Sequence, residues 1–378
     1  DCMNFYKEHW HDSTDPAAVI RINAEGQVSY KALLFIPGRQ LLDYMTSSYE
    51  PGPELYSSGV MIMEHCADLL AESFYFVRGV VDSPDLSLNI SREMLQHDRQ
   101  LKLIAQNINK RVKNELIKML RNDRPRYEKF YSDYGRQLRY GAVANYGQDI
   151  ESLRELLLYY TDTDKTSTLK EYASGMPESQ SVIYYAVGES VQKILRLPQA
   201  ELVRSKGYEI LCMTDEVDEY IVEQLREQDE KKFCNIVTDD LGLDSEEDKK
   251  ELEARENEVK DVLDFVKETL GDKVAVVRLS RKLVSAPVCL TTEGSVTLEM
   301  ERYFKKLPPT GMEPPKAKRV LELNADSHAF DALRSAVKSG DGERAKKLAG
   351  ILHAQALLMA GEELEDPAAY AEEVCSLF

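Results

Sequence analysis

Residues 74–96 read FYFVRGVVDSPDLSLNISREMLQ, and the change of character midway through this stretch decides how the chain is parsed. The apolar run 74–81, interrupted only by Arg78 and Gly79, predicts a strand entering a buried sheet. Asp82, Ser83, Pro84 and Asp85 supply turn residues, after which Asn89 or Ser91 is placed to cap a long helix. On that helix Arg92 and Gln96 are spaced i, i+4, so both side chains can reach one object beyond the helix start. Free N–H groups at a helix amino terminus and a bidentate guanidinium suit a terminal phosphate. The same spacing lets Arg92 pair with Asp85 or Glu93, and spacing alone does not choose between the two.

Toward the amino end, FYKEHWHDSTDP (5–16) predicts an amphipathic helix closing before Pro16. His9 and His11 alternate as metal ligands can, but no third ligand stands at useful spacing, so no metal is expected. The segments 31–37 (KALLFIP), 60–63 (VMIM) and 74–77 (FYFV) read as strands of a mixed sheet flanked by helices.

Toward the carboxyl end, the helix from Arg92 is expected to run to about Leu120. Leu101, Ile104, Ile108, Val112, Leu116 and Met119 form its core stripe. The stretch 124–160 is helical and aromatic, with Tyr127, Phe130, Tyr131, Tyr134 and Tyr140 interleaved with Arg126, Arg136 and Arg139. Such a cluster can stack nucleic-acid bases or pack between helices, and the acidic balance of the chain favours packing. A second α/β unit follows, with a strand at 181–186, a helix opened by residues 188–190 and a strand at 208–213. Its turn carries no phosphate-binding glycine pattern.

At 239–258 the composition shifts to DDLGLDSEEDKKELEARENE, a solvated helix and a domain boundary. Strands at 274–279 and 287–291 then begin a smaller α/β domain. The carboxyl end reads as helices at 330–338, 343–358 and 367–378.

A chain of 378 residues, 43% hydrophobic and 30% charged, is long enough for two or three cores. No apolar run approaches the roughly 20 residues of a bilayer span, so a membrane partner is not expected. A net charge of −18 repels phosphate backbones and argues against nucleic acid. The six cysteines form no CxxC pair and suit a reducing, cytoplasmic setting. The chain opens on Asp1 without an initiator methionine, so further sequence upstream is expected.

The segment FVRGVVDSPDLSLNISREMLQ closely resembles the catalytic-loop region of the ninety-kilodalton heat-shock chaperone family, in its bacterial branch. LKEYASGM (169–176), IYYAVGES (183–190) and MTDEVDEY (213–220) resemble the family's middle domain, and RLSRKLVSAP (278–287) resembles its carboxy-terminal domain. The resemblance implies an α/β and α+β fold: a large αβα unit at 1–121, a helical connector at 122–160, a small αβα unit at 161–240 and a dimerisation domain at 241–378. Leu41 and Leu42 stand where family members often carry a phenylalanine that packs against the nucleotide domain.

It further implies that Arg92, supported by Asn89 and Gln96, reaches the terminal phosphate of ATP, bound with Mg in the full-length protein by an amino-terminal domain that nothing here resembles. Tyr220 takes the place of a client-binding aromatic, while Val296, Met300, Tyr303 and Phe304 lie on an amphipathic helix expected to face partly folded clients. Leu333, Val337, Leu348, Ile351, Leu352, Ala356 and Leu358 are the expected seam of a homodimeric four-helix bundle. Co-operating chaperones are further expected partners, although the carboxyl end lacks the acidic, methionine-containing tail that binds cochaperones in cytosolic eukaryotic members. A reading from another class makes the chain a self-contained enzyme using Arg92 on a small phosphorylated substrate. No assembled nucleophile and base favours it.

Overall fold

The computed structural model describes residues 2–41, 44, 46, 48–87, 98–162, 165–306 and 313–377, with the side chains of 145, 146 and 306 left aside. Two compact units emerge. One comprises residues 1–158, 168–170 and 220–225, and the other residues 159–167, 171–219 and 226–378. The boundary expected near Asp239 falls inside the second.

In the first unit the amino-terminal helix Cys2–His9 precedes strands β1 (Ala18–Ala24), β2 (Tyr30–Ile36), β3 (Glu54–Ser57), β4 (Val60–Met63) and β5 (Arg78–Asp82). They form one sheet in the order β1-β2-β5-β3-β4, with only the β3/β5 pair parallel. Ser58 and Gly59 turn the β3–β4 hairpin with positive φ at both positions, the geometry a two-residue hairpin loop favours. The strand expected at 74–77 lies further on. Residues Glu72–Phe74 form a 3-10 turn, and pairing begins only at Arg78. Phe76 is buried against Phe130 and Tyr134 at 5.2 and 4.8 Å, so the aromatic half of the apolar run serves helix packing and its second half serves the sheet.

The core stripe is correct, but its helix begins late. The helix spans Arg99–Asn122, buries all six stripe residues, and is N-capped by Asp98, whose carboxylate accepts from the amides of Gln100 and Leu101 at 2.7 and 2.9 Å. Asp98 has extended backbone, so this helix does not run back through Arg92, and neither Asn89 nor Ser91 caps it. Asn109 then stitches the preceding loop to the helix, accepting from the Ala71 amide at 2.8 Å and donating to the Leu69 carbonyl at 3.3 Å.

The helix Arg124–Gly147 buries Tyr127, Phe130 and Tyr134. Arg139, also buried, donates to the Leu158 carbonyl at 2.7 Å. These rings are core, and no base can stack on them.

In the second unit, β6 (Tyr159–Tyr160), β7 (Thr166–Ser167), β8 (Ile183–Val187), β9 (Leu211–Met213), β10 (Glu227–Gln228) and β11 (Lys231–Asn235) order as β10-β11-β8-β9-β6-β7. β8 is wholly buried and parallel to both β9 and β11, as a crossover unit requires. Ser190 caps the helix Val191–Leu195, whose position the sequence reading had placed. The acidic helix Glu246–Glu258 starts in a Ser245/Asp248 capping box and buries no residue.

A three-stranded sheet follows: β12 (Val276–Leu279), β13 (Val288–Glu293) and β14 (Lys318–Leu323), with β14 in the centre. The sequence reading assigned no strand to β14. The helices Lys260–Leu270, His328–Ser339 and Gly342–Met359 cover this sheet with one apolar core.

Candidate functional site

The turn after β5 is fixed from three sides. Ser83 donates its hydroxyl to the Ser29 carbonyl at 2.7 Å, and the Ser29 amide donates to Asp85 at 2.7 Å. Ser57 donates to the Leu86 carbonyl at 2.6 Å, and Asp82 accepts from the Gly59 amide at 3.2 Å. Gly79 is required one step earlier, since a Cβ there would lie 2.4 Å from the Leu33 carbonyl oxygen. Residues 88–97 therefore join two anchored points, this turn and the Asp98 cap. Arg92, Asn89 and Gln96 all lie outside the described residues, as does Leu42. Leu41 is described and buried.

Tyr220 is half-buried on the helix Asp218–Leu225. The helix Leu298–Lys306 seats Leu298 in the core and leaves Met300, Tyr303 and Phe304 half-buried, while Val296 packs against the core edge. All four side chains are thus partly exposed.

The expected seam residues divide. Leu333, Leu348, Ile351, Leu352 and Ala356 are buried within this single chain, and Val337 packs against the same core. Leu358 is 49% exposed and Leu377 45%, and the helix Pro367–Cys375 buries none of its residues. Of the expected seam residues, Leu358 is the one left largely exposed.

Sequence reasoning missed several polar groups here. Lys282, inside RLSRKLVSAP, is buried and donates to the carbonyls of Ile236 and Val237 at 3.3 and 2.8 Å; burial pushes its pKa down. Glu322 on β14, 3% exposed, accepts two bonds from Arg278 at 3.0 and 2.7 Å and one from Ser280 at 2.8 Å. Glu301 accepts from Lys305 at 2.8 Å, the Ala317 amide at 2.8 Å and Arg319 at 3.1 Å. Against the burial that raises it, these donors pull Glu301 down to about 2.

Arg302 contacts Glu299, Glu362 and the Ala360 carbonyl at 2.8, 2.9 and 2.5 Å. Glu299 is pushed up to about 7, first by burial and then by Glu219, Glu362 and Glu189, with Arg302 opposing. Glu219 and Glu299 carried no sequence signal because acids in the first turn of a helix are ordinary.

These elements define a chain of mixed α/β build, and its sequence matches the Hsp90 protein family over residues 1–378. The chain belongs to the Hsp90 family. It is 47% identical to the chaperone protein HtpG of Clostridium acetobutylicum, 45% to that of Bacillus subtilis and 46% to that of Oceanobacillus iheyensis. Each alignment covers all 378 residues of this chain and 60% of the relative. The chain thus spans about 60% of the length of the relatives it matches. Among the described residues, no helix is long and apolar enough to cross a membrane.

Proposed function

We propose that this chain is the client-handling and dimerising part of an HtpG-type chaperone, acting on partly folded proteins in the cytoplasm. The family match along its whole length carries this reading. The two αβα units of a middle domain are assigned to 1–121 and 161–240, joined through 122–160, and the dimerisation domain to 241–378. The client surface is assigned to Met300, Tyr303 and Phe304 with Val296, and to Tyr220. A flexible thioether beside aromatic rings adapts to many sequences, which suits a binder of varied clients.

The assigned seam follows the exposure pattern. It consists of Leu358, Leu377 and the helix Pro367–Cys375 rather than Leu333, Leu348 or Leu352, which their own core already occupies. In the intact protein, Arg92 with Asn89 and Gln96 would stabilise charge on the terminal phosphate of ATP held with magnesium. The sequence match alone supports that role, and no step is derived through the nucleotide.

The test is fluorescence anisotropy of a labelled unfolded client titrated with the chain and with a Met300→Ser/Phe304→Ser double variant. The reading expects at least a fivefold weaker dissociation constant for the variant, about 1 kcal/mol, at unchanged melting temperature. Equal affinity would remove helix Leu298–Lys306 from the client surface.

A further inference from the structure

A groove of about 570 Å³ in the second unit lies between helix Gly342–Met359, helix Pro367–Cys375 and the segments 272–273 and 362–366. Six carboxylates line it against two basic side chains, Lys273 and Arg319. Both bases are engaged, Lys273 with Glu365 at 2.9 Å and Arg319 with Glu301 and Glu362 at 3.1 and 2.9 Å. Asp272, Glu363 and Glu373 make no ion pair among the described residues, so the surplus charge is negative.

Acidic side chains on a surface are common, and the residue that singles this groove out is His353. It is 7% exposed, its ring lines the groove, and its Nε2 is buried without a hydrogen-bond partner. Buried polar atoms are almost always paired, so this nitrogen is set to meet a group that the chain itself does not supply. Burial, and after it the charge of Lys273, pushes the imidazole pKa down against the opposing pull of Glu365. Above neutral pH the ring is uncharged and keeps one nitrogen as an acceptor. We propose that the groove binds a linear aliphatic polyamine, one ammonium group donating to Nε2 of His353 and the others meeting the carboxylates of Glu363 and Glu373.

The volume falls within the roughly 300–1,000 Å³ of small-molecule sites. The positive charge has to be spread out, since no group of three or more His, Cys, Asp or Glu among the described residues could hold a metal ion. Carboxylates that line one groove without converging suit separate ammonium groups better than a single ion. Leu270, Leu357 and Tyr370 offer apolar surface to the methylenes between those groups. Neither Leu358 nor Leu377, the exposed leucines assigned to the dimer seam, lines the groove. Because helix Pro367–Cys375 forms one wall, the bound polyamine would hold this helix against helix Gly342–Met359.

The experiment is calorimetric titration of spermidine into the 378-residue chain at pH 8 and constant ionic strength. Saturable binding of one spermidine per chain is expected. His353→Phe keeps a flat ring and removes the acceptor, and Glu363→Gln/Glu373→Gln removes two unpaired charges, so each should weaken binding at least about tenfold. If His353→Phe does not fold, the double glutamine variant decides, since neither of its side chains is buried. Glu247→Gln/Glu251→Gln, on the solvated helix Glu246–Glu258 and outside the groove, removes the same charge and should leave the affinity unchanged. No saturable binding, or an affinity that the groove variants leave intact, overturns the proposal. So does an equal loss in the control pair, which would trace binding to the net charge alone, and so does binding of a lysine-rich peptide where spermidine fails.

Discussion

Lys282 illustrates how much a single buried charge can organise. Its ammonium satisfies the carbonyls of Ile236 and Val237 near the end of β11 while its backbone leads out of β12. Lys282→Met keeps the apolar stem but takes the side-chain donor from the Ile236 carbonyl, while the Val237 carbonyl still accepts from the Thr291 hydroxyl at 2.6 Å, and should lower stability by about 1–3 kcal/mol in urea unfolding. Glu301 makes a prediction with a sign. Its folded pKa is depressed, so its contribution is present above the ordinary carboxylate value and lost as pH falls toward about 2. The stability difference between the chain and Glu301→Gln should be largest above pH 5 and vanish near pH 2. Little at this scale was legible beforehand. Lys282 stood inside a segment that carried the family resemblance, yet nothing in its neighbours announced burial, and Glu299 and Glu219 read as ordinary first-turn acids. Their environment is made by elements distant in sequence.

Elements with a strong period were legible. The stripe from Leu101 to Met119 is buried in full because its spacing keeps six side chains on one helix face. Ile108→Ala there should cost about 2–5 kcal/mol, read from the shift in denaturant midpoint. The helix start was misplaced because Asn89 and Ser91 are as good cap residues as Asp98, and only the chain's path selects among them. The strand expected at 74–77 failed because aromatic residues suit strands and helix contacts alike, and Phe76 was claimed by Phe130 and Tyr134. β14 went unread because its interior place admits Glu322 at a buried position, paired with Arg278, which breaks the apolar run.

For the whole molecule, two compact units are described, and the acidic stretch forms a solvated helix, Glu246–Glu258, that lies within the second of them. The expected dimer seam comprised Leu333, Val337, Leu348, Ile351, Leu352, Ala356 and Leu358. Burial separates those residues into core and surface, a distinction that sequence period cannot make. Leu358→Asp should shift the chain from dimer toward monomer in light-scattering chromatography with its circular dichroism unchanged, whereas Leu352→Ala should lower the melting temperature and leave a folded fraction dimeric.

The central claim is that this chain holds partly folded proteins without needing a nucleotide. It is tested most directly by light scattering from a heat-aggregating client mixed with the chain, with and without ATP. Suppression of aggregation to the same extent in both conditions is the predicted result. Unchanged aggregation in the presence of excess chain would contradict the claim, and suppression only with ATP would contradict its independence from nucleotide.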